Sequence, residues 1–455
     1  MIASLHVDPE WAWSPFSPDP QLPWTRPLAA HLYRRAGFAA TSAELDEALS
    51  RQPTEVVQSL MQPGRESARY EEEIDDLARA NLATGDPKKM SAWWLYRMTT
   101  TTAQLQEKAT LFWHGHFATG AEKVQDVDLV YGQYQLLRQH ATGDFGTLLH
   151  AISRDPAMLI YLDSATNRKS HPNENYAREI MELFALGEGA YSEQDIRELA
   201  RCFTGWEVRR GKFRFNRYQH DFGEKTVLGV TGELSGDDGV DVVLAQPAAA
   251  QFIVKKLIRF YVCDEPDASD ELIAPLANEF RENGLQVGPI IQRILSSNLF
   301  FSQHSRGRKV RSPIELGVGF LRALDGTTGI YELADGMAQI GQELFYPPNV
   351  KGWDGGRTWI NSSTLLGRAN LIRGLLDRDT TRFAGGSLEE LTEQAGLRKS
   401  QEIVDWLTGL LLAVEVPAPV RARVTDLLES GEGDRESRLR NAVTVLCTLP
   451  EFQLA

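Results

Sequence analysis

From Pro27 onward the chain is cut into short segments in which apolar residues recur at i, i+3, i+4 and i+7, and most segments open on a capping residue. That punctuation commits the chain to helices. Residues 27–36 are closed by Gly37, Thr41 or Ser42 caps 43–49, Thr54 caps 55–61, and the charged stretch 66–83 stops near Gly85-Asp86-Pro87. The same pattern predicts helices over 90–113, 126–141, 144–154, 155–163, 174–186, 193–204, 247–262, 269–283, 288–297, 312–324 and 334–343. Ser362 or Ser363 caps a further helix to 376, and four more fit 387–448. At 206–215 the period becomes two, around Arg210-Gly211, which predicts a small β-hairpin leading into a polar loop. The expected fold is therefore mainly α. An irregular N-terminal arm (1–24), anchored by Trp11, Trp13 and Trp24, lies on the surface of a large multi-helix domain (25–376) with a hairpin insertion, and a C-terminal helical lobe (377–455) follows.

Composition narrows the function. A chain of 455 residues can bury a large core. No apolar run approaches the ~18 residues of a membrane span. The net charge of −14 argues against a general nucleic-acid binder or a protein held on anionic lipid, and suits a cationic or neutral substrate. Cys202, Cys263 and Cys447 have neither disulfide nor metal spacing and read as buried thiols. The N-terminus shows no secretory or twin-arginine pattern, so it reads as cytoplasmic, with export beside a partner left open.

The stretch 171–187 is the most distinctive helix. Asn173 suits the N-cap, Glu174 opens the first turn, and Gly187 follows the last apolar residue. At about 100° per residue, Glu174, Arg178, Glu182, Asn175 and Glu179 share one arc, opposite Tyr176, Ala177, Ile180, Leu183 and Phe184. Two readings compete. Glu174–Arg178 and Arg178–Glu182 are i,i+4 pairs suited to a solvated face. Alternatively the stripe faces a cleft, where each uncompensated ion would be costly and kept for chemistry.

Three further clusters could carry chemistry. In Phe112-Trp-His-Gly-His-Phe117, His114 and His116 can chelate a divalent metal ion if extended; in a helix the rings lie about 200° apart and cannot. Gly115 suggests that the helix stops there. The structural alternative is two histidines at a helix end. His220-Asp221, with Lys225, offers an acid–base pair if Gly223 turns the chain, or else a polar turn. The loop 347–361 sets Trp353 and Trp359 beside Asp354, Arg357 and Asn361, a set suited to a sugar or another flat, hydroxyl-rich ligand, or to plugging the core. Nucleotide loops and the serine-hydrolase elbow are absent.

In this order, these clusters resemble the bacterial family called domain of unknown function 1800. The matching pieces are His31-Leu-Tyr-Arg-Arg-Ala-Gly-Phe38, Phe112–Phe117, Asn173–Phe184, Phe203-Thr-Gly-Trp206, His220-Asp221 with Gly223–Gly229, Pro347–Trp353 and Gly356–Thr364. The resemblance implies no activity. It implies a gene neighbourhood shared with a sulfatase-like protein, hence a candidate partner, and export in many relatives.

The functional expectation is a hydrolase-type enzyme working on a polar, carbohydrate-like small molecule or glycan. Glu174, Glu179 and Glu182 would supply carboxylates, and His114, His116 and His220 would be metal ligands or proton shuttles. Asp221 would orient His220, Arg178 or Lys225 would stabilise an oxyanion, and Trp353, Arg357, Trp359, Asn361 and Asn175 would bind substrate. The rival expectation is a non-catalytic scaffold or binding partner of the sulfatase-like protein.

Overall fold

Two helices are buried on almost every side, and the rest of the chain is organised around them. Gln104–His116 and Pro313–Ala323 expose almost nothing to solvent, although the first contains Glu107, Lys108 and two histidines. Burying those groups requires partners. Glu107 accepts from Trp94 Nε1 (2.8 Å), Tyr134 Oη (3.1 Å), Arg97 Nε (3.1 Å) and Arg138 Nε (2.6 Å). Lys108 pairs with Glu315, whose other oxygen accepts from Ser312 N in the capping box that starts the second buried helix. A single ion pair thus locks the two central helices together.

The computed structural model describes residues 4–62, 66–412 and 414–455. Residues 1–3 of the expected arm and Ala413 of the expected lobe lie outside them. The fold is mainly α, with three two-stranded antiparallel sheets among the described residues. No helix among these residues is long and apolar enough to cross a membrane. The three cysteines are buried and free.

Most helices fall where capping and periodicity put them, and the hairpin Trp206–Arg209/Lys212–Phe215 turns at Arg210 (φ 54°) and Gly211 (φ 70°). Two successive positive φ values match the right-handed strand twist, as two-residue hairpin turns require.

Several expectations are corrected. The arm is built into the body: Asp8 caps Pro9–Trp13, and buried Trp13 donates its Nε1–H to Leu272 O (2.8 Å). Residues 90–113 form two helices, Pro87–Thr100 and Gln104–His116, because Thr101 is extended and Glu66 accepts from Thr101 Oγ1 (2.6 Å) and Thr102 N (2.8 Å). Part of the expected polar loop is a second hairpin, Lys225–Val227/Val230–Gly232, and Ser235 caps an unforeseen helix, Gly236–Leu244. The distinctive helix is α only over Asn175–Glu179, then widens to a π-helix over Ile180–Ala185 before Gly187 (φ 80°) ends it. A side chain does cap it: Asn173 Oδ1 accepts from Asn175 N (2.9 Å).

The C-terminal helices join the body through buried arginines that donate to backbone carbonyls. Arg34 reaches Leu410 O, Arg35 reaches Ala455 O (3.2 Å), and Arg311 reaches Leu411 O and Leu454 O, both at 3.0 Å.

Candidate functional site

The helix Gln104–His116 does not stop at Gly115 but runs through it, and this decides the fate of both histidines. Two residues apart on a helix, they point to different surroundings. His114 is enclosed by Trp94, Phe345 and Trp353, and its Nε2 accepts from Phe345 N at 3.0 Å. Burial holds its pKa down to about 3, so it stays neutral. His116 turns the other way. Its Nε2–H donates to Phe184 O (2.9 Å), which leaves Nδ1 as an acceptor, and Lys256 Nζ donates to it at 3.0 Å. Among the described residues, no three His, Cys, Asp or Glu side chains converge as a metal-binding set. The residues present do not fit a divalent ion at these two histidines.

Lys256 is the unforeseen member of the site. It lies on the helix Pro247–Tyr261, where Phe252, Lys256, Arg259 and Phe260 share a face at i, i+4, i+7 and i+8. Its ammonium caps the ring of Phe252 (4.6 Å to the centroid) and also donates to Leu183 O at 3.1 Å. The carbonyls of Leu183 and Phe184 belong to the π-helix, close to its C-terminal end. Carbonyls there lack intrahelical donors, and the negative end of the helix dipole favours a cation. The distinctive helix therefore meets the site through its backbone. Burial, reinforced by nearby Arg259, lowers the Lys256 pKa to about 8, and no carboxylate forms an ion pair with it among the described residues.

Beside this dyad opens a cavity of about 510 Å³. Phe112, Phe260, Trp353 and Trp359 are its aromatic walls, and Lys256, Arg259, Lys309 and Lys351 its cations. Asp264, Glu315 and Asp354 are its acids. Lys309 is paired with Asp264 at 3.0 Å. Burial raises the Glu315 pKa, but Lys108 and Lys309 outweigh it and hold the carboxyl down at about 2. The Trp loop can close this cavity because residue 352 is glycine: at φ 76° its backbone rests on the Gly115 carbonyl, and an added Cβ would lie 2.2 Å from that oxygen.

The remaining expected residues lie elsewhere. Arg178 makes a bidentate pair with Glu193 (2.8 and 2.9 Å) and faces Glu174 at 3.5 Å, a part-exposed network that Arg197 extends at 3.7 Å. Asn175 is exposed, and Glu182 accepts from Tyr191 Oη at 3.2 Å. Glu179 does not line the cavity, although it feels the charge of Lys351, which does. Burial and Glu182 raise its pKa, while Arg178 and Lys351 pull it back. His220 is buried, with Nδ1 on Thr204 O (2.8 Å) and its pKa lowered by burial. Asp221 pairs with Arg201 at 2.8 Å, and buried Lys225 donates to Gly223 O at 3.0 Å. None of these three lines the cavity. Arg357 points outward to Glu265 (2.8 Å), and Asn361 caps the helix Ser362–Asp377 by accepting from Thr364 N (2.9 Å). Of the expected residues, the cavity gathers His116, Trp353, Asp354 and Trp359, with His114 packed against Trp353.

The sequence model of the family described as "Protein of unknown function (DUF1800)" matches residues 31–454. The chain belongs to that family. No curated protein and no solved structure matches it.

Proposed function

We propose that the cavity is the working site of a hydrolase-type enzyme acting on a polar, sugar-like small molecule, with Lys256 as the proton-transfer group. One observation carries this reading. An ammonium has three donors; His116 Nδ1 and Leu183 O engage two of them, and the third has no acceptor among the described residues. In the acid form that position holds a proton for a leaving oxygen. In the base form it holds a lone pair that can take a proton from an attacking water. A pKa of about 8 keeps both forms accessible near neutral pH. The half-buried Trp353 and the buried Trp359 supply faces on which a ring can lie.

The reading is tested by screening chromogenic glycosides and esters with the wild type, K256M and W353A, each checked for native circular dichroism. Turnover lost in K256M and weakened in W353A supports it. Turnover unchanged in folded K256M removes it.

A second reading, a docking partner for a sulfatase-like protein, has its own support. Arg209, Arg210, Lys212, Arg214 and Arg217 are exposed on and after the first hairpin, beside Phe215, Tyr218 and Phe222, which are 46%, 77% and 55% exposed. Aromatic and arginine side chains clustered in this way are common at interfaces. Co-purification that fails when Phe215 and Tyr218 are both changed to Ser would favour it.

A further inference from the structure

The charges around the cavity do not cancel. Asp264 is taken by Lys309 (3.0 Å) and by Val310 N (2.7 Å). Glu315 is taken by Lys108, which lies behind the wall. On the cavity wall that leaves Lys256, Arg259 and Lys351 against Asp354, with Glu179 outside the wall but near Lys351. Among the described residues none of these three cations forms an ion pair. Arg259 donates to the backbone oxygen of Asp354 (3.2 Å), and Lys351 is near enough to Glu179 to lower its pKa without closing a pair. In a chain of net charge −14, three unpaired cations on one cavity are not the background of the surface. At physiological salt a charge is felt over only about 8 Å, so the local set outweighs the distant negative total.

We infer that the ligand of this cavity joins an anionic group, such as a carboxylate, sulfate or phosphate ester, to a ring. The anion lies among Lys256, Arg259 and Lys351, and the ring lies on Trp353. This rests on the cavity being a ligand site, and it reverses the preference for cationic or neutral substrates that overall charge suggests. Arg259 supplies a planar fork that suits two oxygens of one anion. Lys351 adds a mobile point charge from the loop that also carries Trp353, so anion and ring would be engaged together.

Isothermal titration of the full chain at low ionic strength tests this with glucose, glucuronate, a hexose phosphate and a hexose sulfate. At least one anionic sugar should bind about tenfold or more tighter than glucose, and the one that does identifies the group. Arg259 and Lys351 are exposed, so R259M/K351M should fold, and it should lose that advantage. Equal binding of glucose and all three anions overturns the inference; if that binding is lost in W353A, the cavity remains a ligand site. An anion preference that survives in R259M/K351M also overturns it, because the anion is then held elsewhere. A preference abolished by R259M/K351M upholds it, even if K256M retains full turnover and the proton-transfer reading falls.

Discussion

Lys256 Nζ donates to His116 Nδ1 across 3.0 Å, while the other ring nitrogen of His116 donates to the carbonyl of Phe184. The two bonds fix the tautomer of a buried imidazole and hold an ammonium at the cavity without a carboxylate. Burial and the Lys256 charge both lower the His116 pKa, so the ring stays neutral and remains an acceptor. Replacing Lys256 by Met removes a half-buried charge that has no counter-ion. The fold should tolerate this, with thermal unfolding little changed, while any turnover in the cavity falls about 100-fold or more. Calorimetry and a rate assay on one preparation check both halves.

The contact between Gly352 and Gly115 sets the position of the indole loop. Ala at 352 would need positive φ and would put its Cβ 2.2 Å from the Gly115 oxygen. G352A should cost about 2–4 kcal/mol and push Trp353 off the cavity, read by denaturant unfolding and by loss of sugar binding.

Glu107 gathers four donors at the centre of the molecule. Its removal leaves Arg97 and Arg138 without their shared buried carboxylate. E107A should lose about 3–5 kcal/mol, and E107Q less, because an amide oxygen still accepts. Urea unfolding of the two variants measures the difference.

Asp155 is buried, and burial raises its pKa from 3.8 to about 7 against hydrogen bonds from Gln133 and Met158. A folded pKa above the unfolded one means that the contribution is complete below about 3.8 and is lost as pH rises through about 7. Relative to D155N, the wild type should therefore lose stability between these values, by up to about 4 kcal/mol. Unfolding curves across that range check the slope, and a flat difference would contradict it.

Arg178 gives the contrasting prediction. Its pairs with Glu174 and Glu193 are part-exposed, so R178A should cost under about 1 kcal/mol and leave sugar binding unchanged.

How much of this was legible follows from what a sequence encodes. Caps and periodicity are local, so most helices and the Arg210-Gly211 turn could be read directly, while the break at Thr101 depends on the distant Glu66. Gly115 does mark the region of a helix end, but the helix runs one residue past it to His116, so both histidines are helical and point apart. The acidic stripe of Glu174, Arg178 and Glu182 stood out by composition, yet its helix contributes carbonyls to the site, and a backbone contribution leaves no side-chain signature. Lys256 had one usable signal, a lysine four residues after Phe252 and four before Phe260, on a helix face it shares with Arg259. Its partners are far away in the chain, and only tertiary packing brings His116 and Leu183 to it.

The most direct test is the titration of Lys256 itself. Pulsed acylation of the folded protein, followed by peptide mass spectrometry from neutral pH to about 11, gives the reactivity profile of each lysine. Lys256 should react with a midpoint near 8, below the ~10.4 of a free lysine side chain, and H116A should shift this midpoint. A midpoint matching the free side chain, unmoved in H116A, would contradict this.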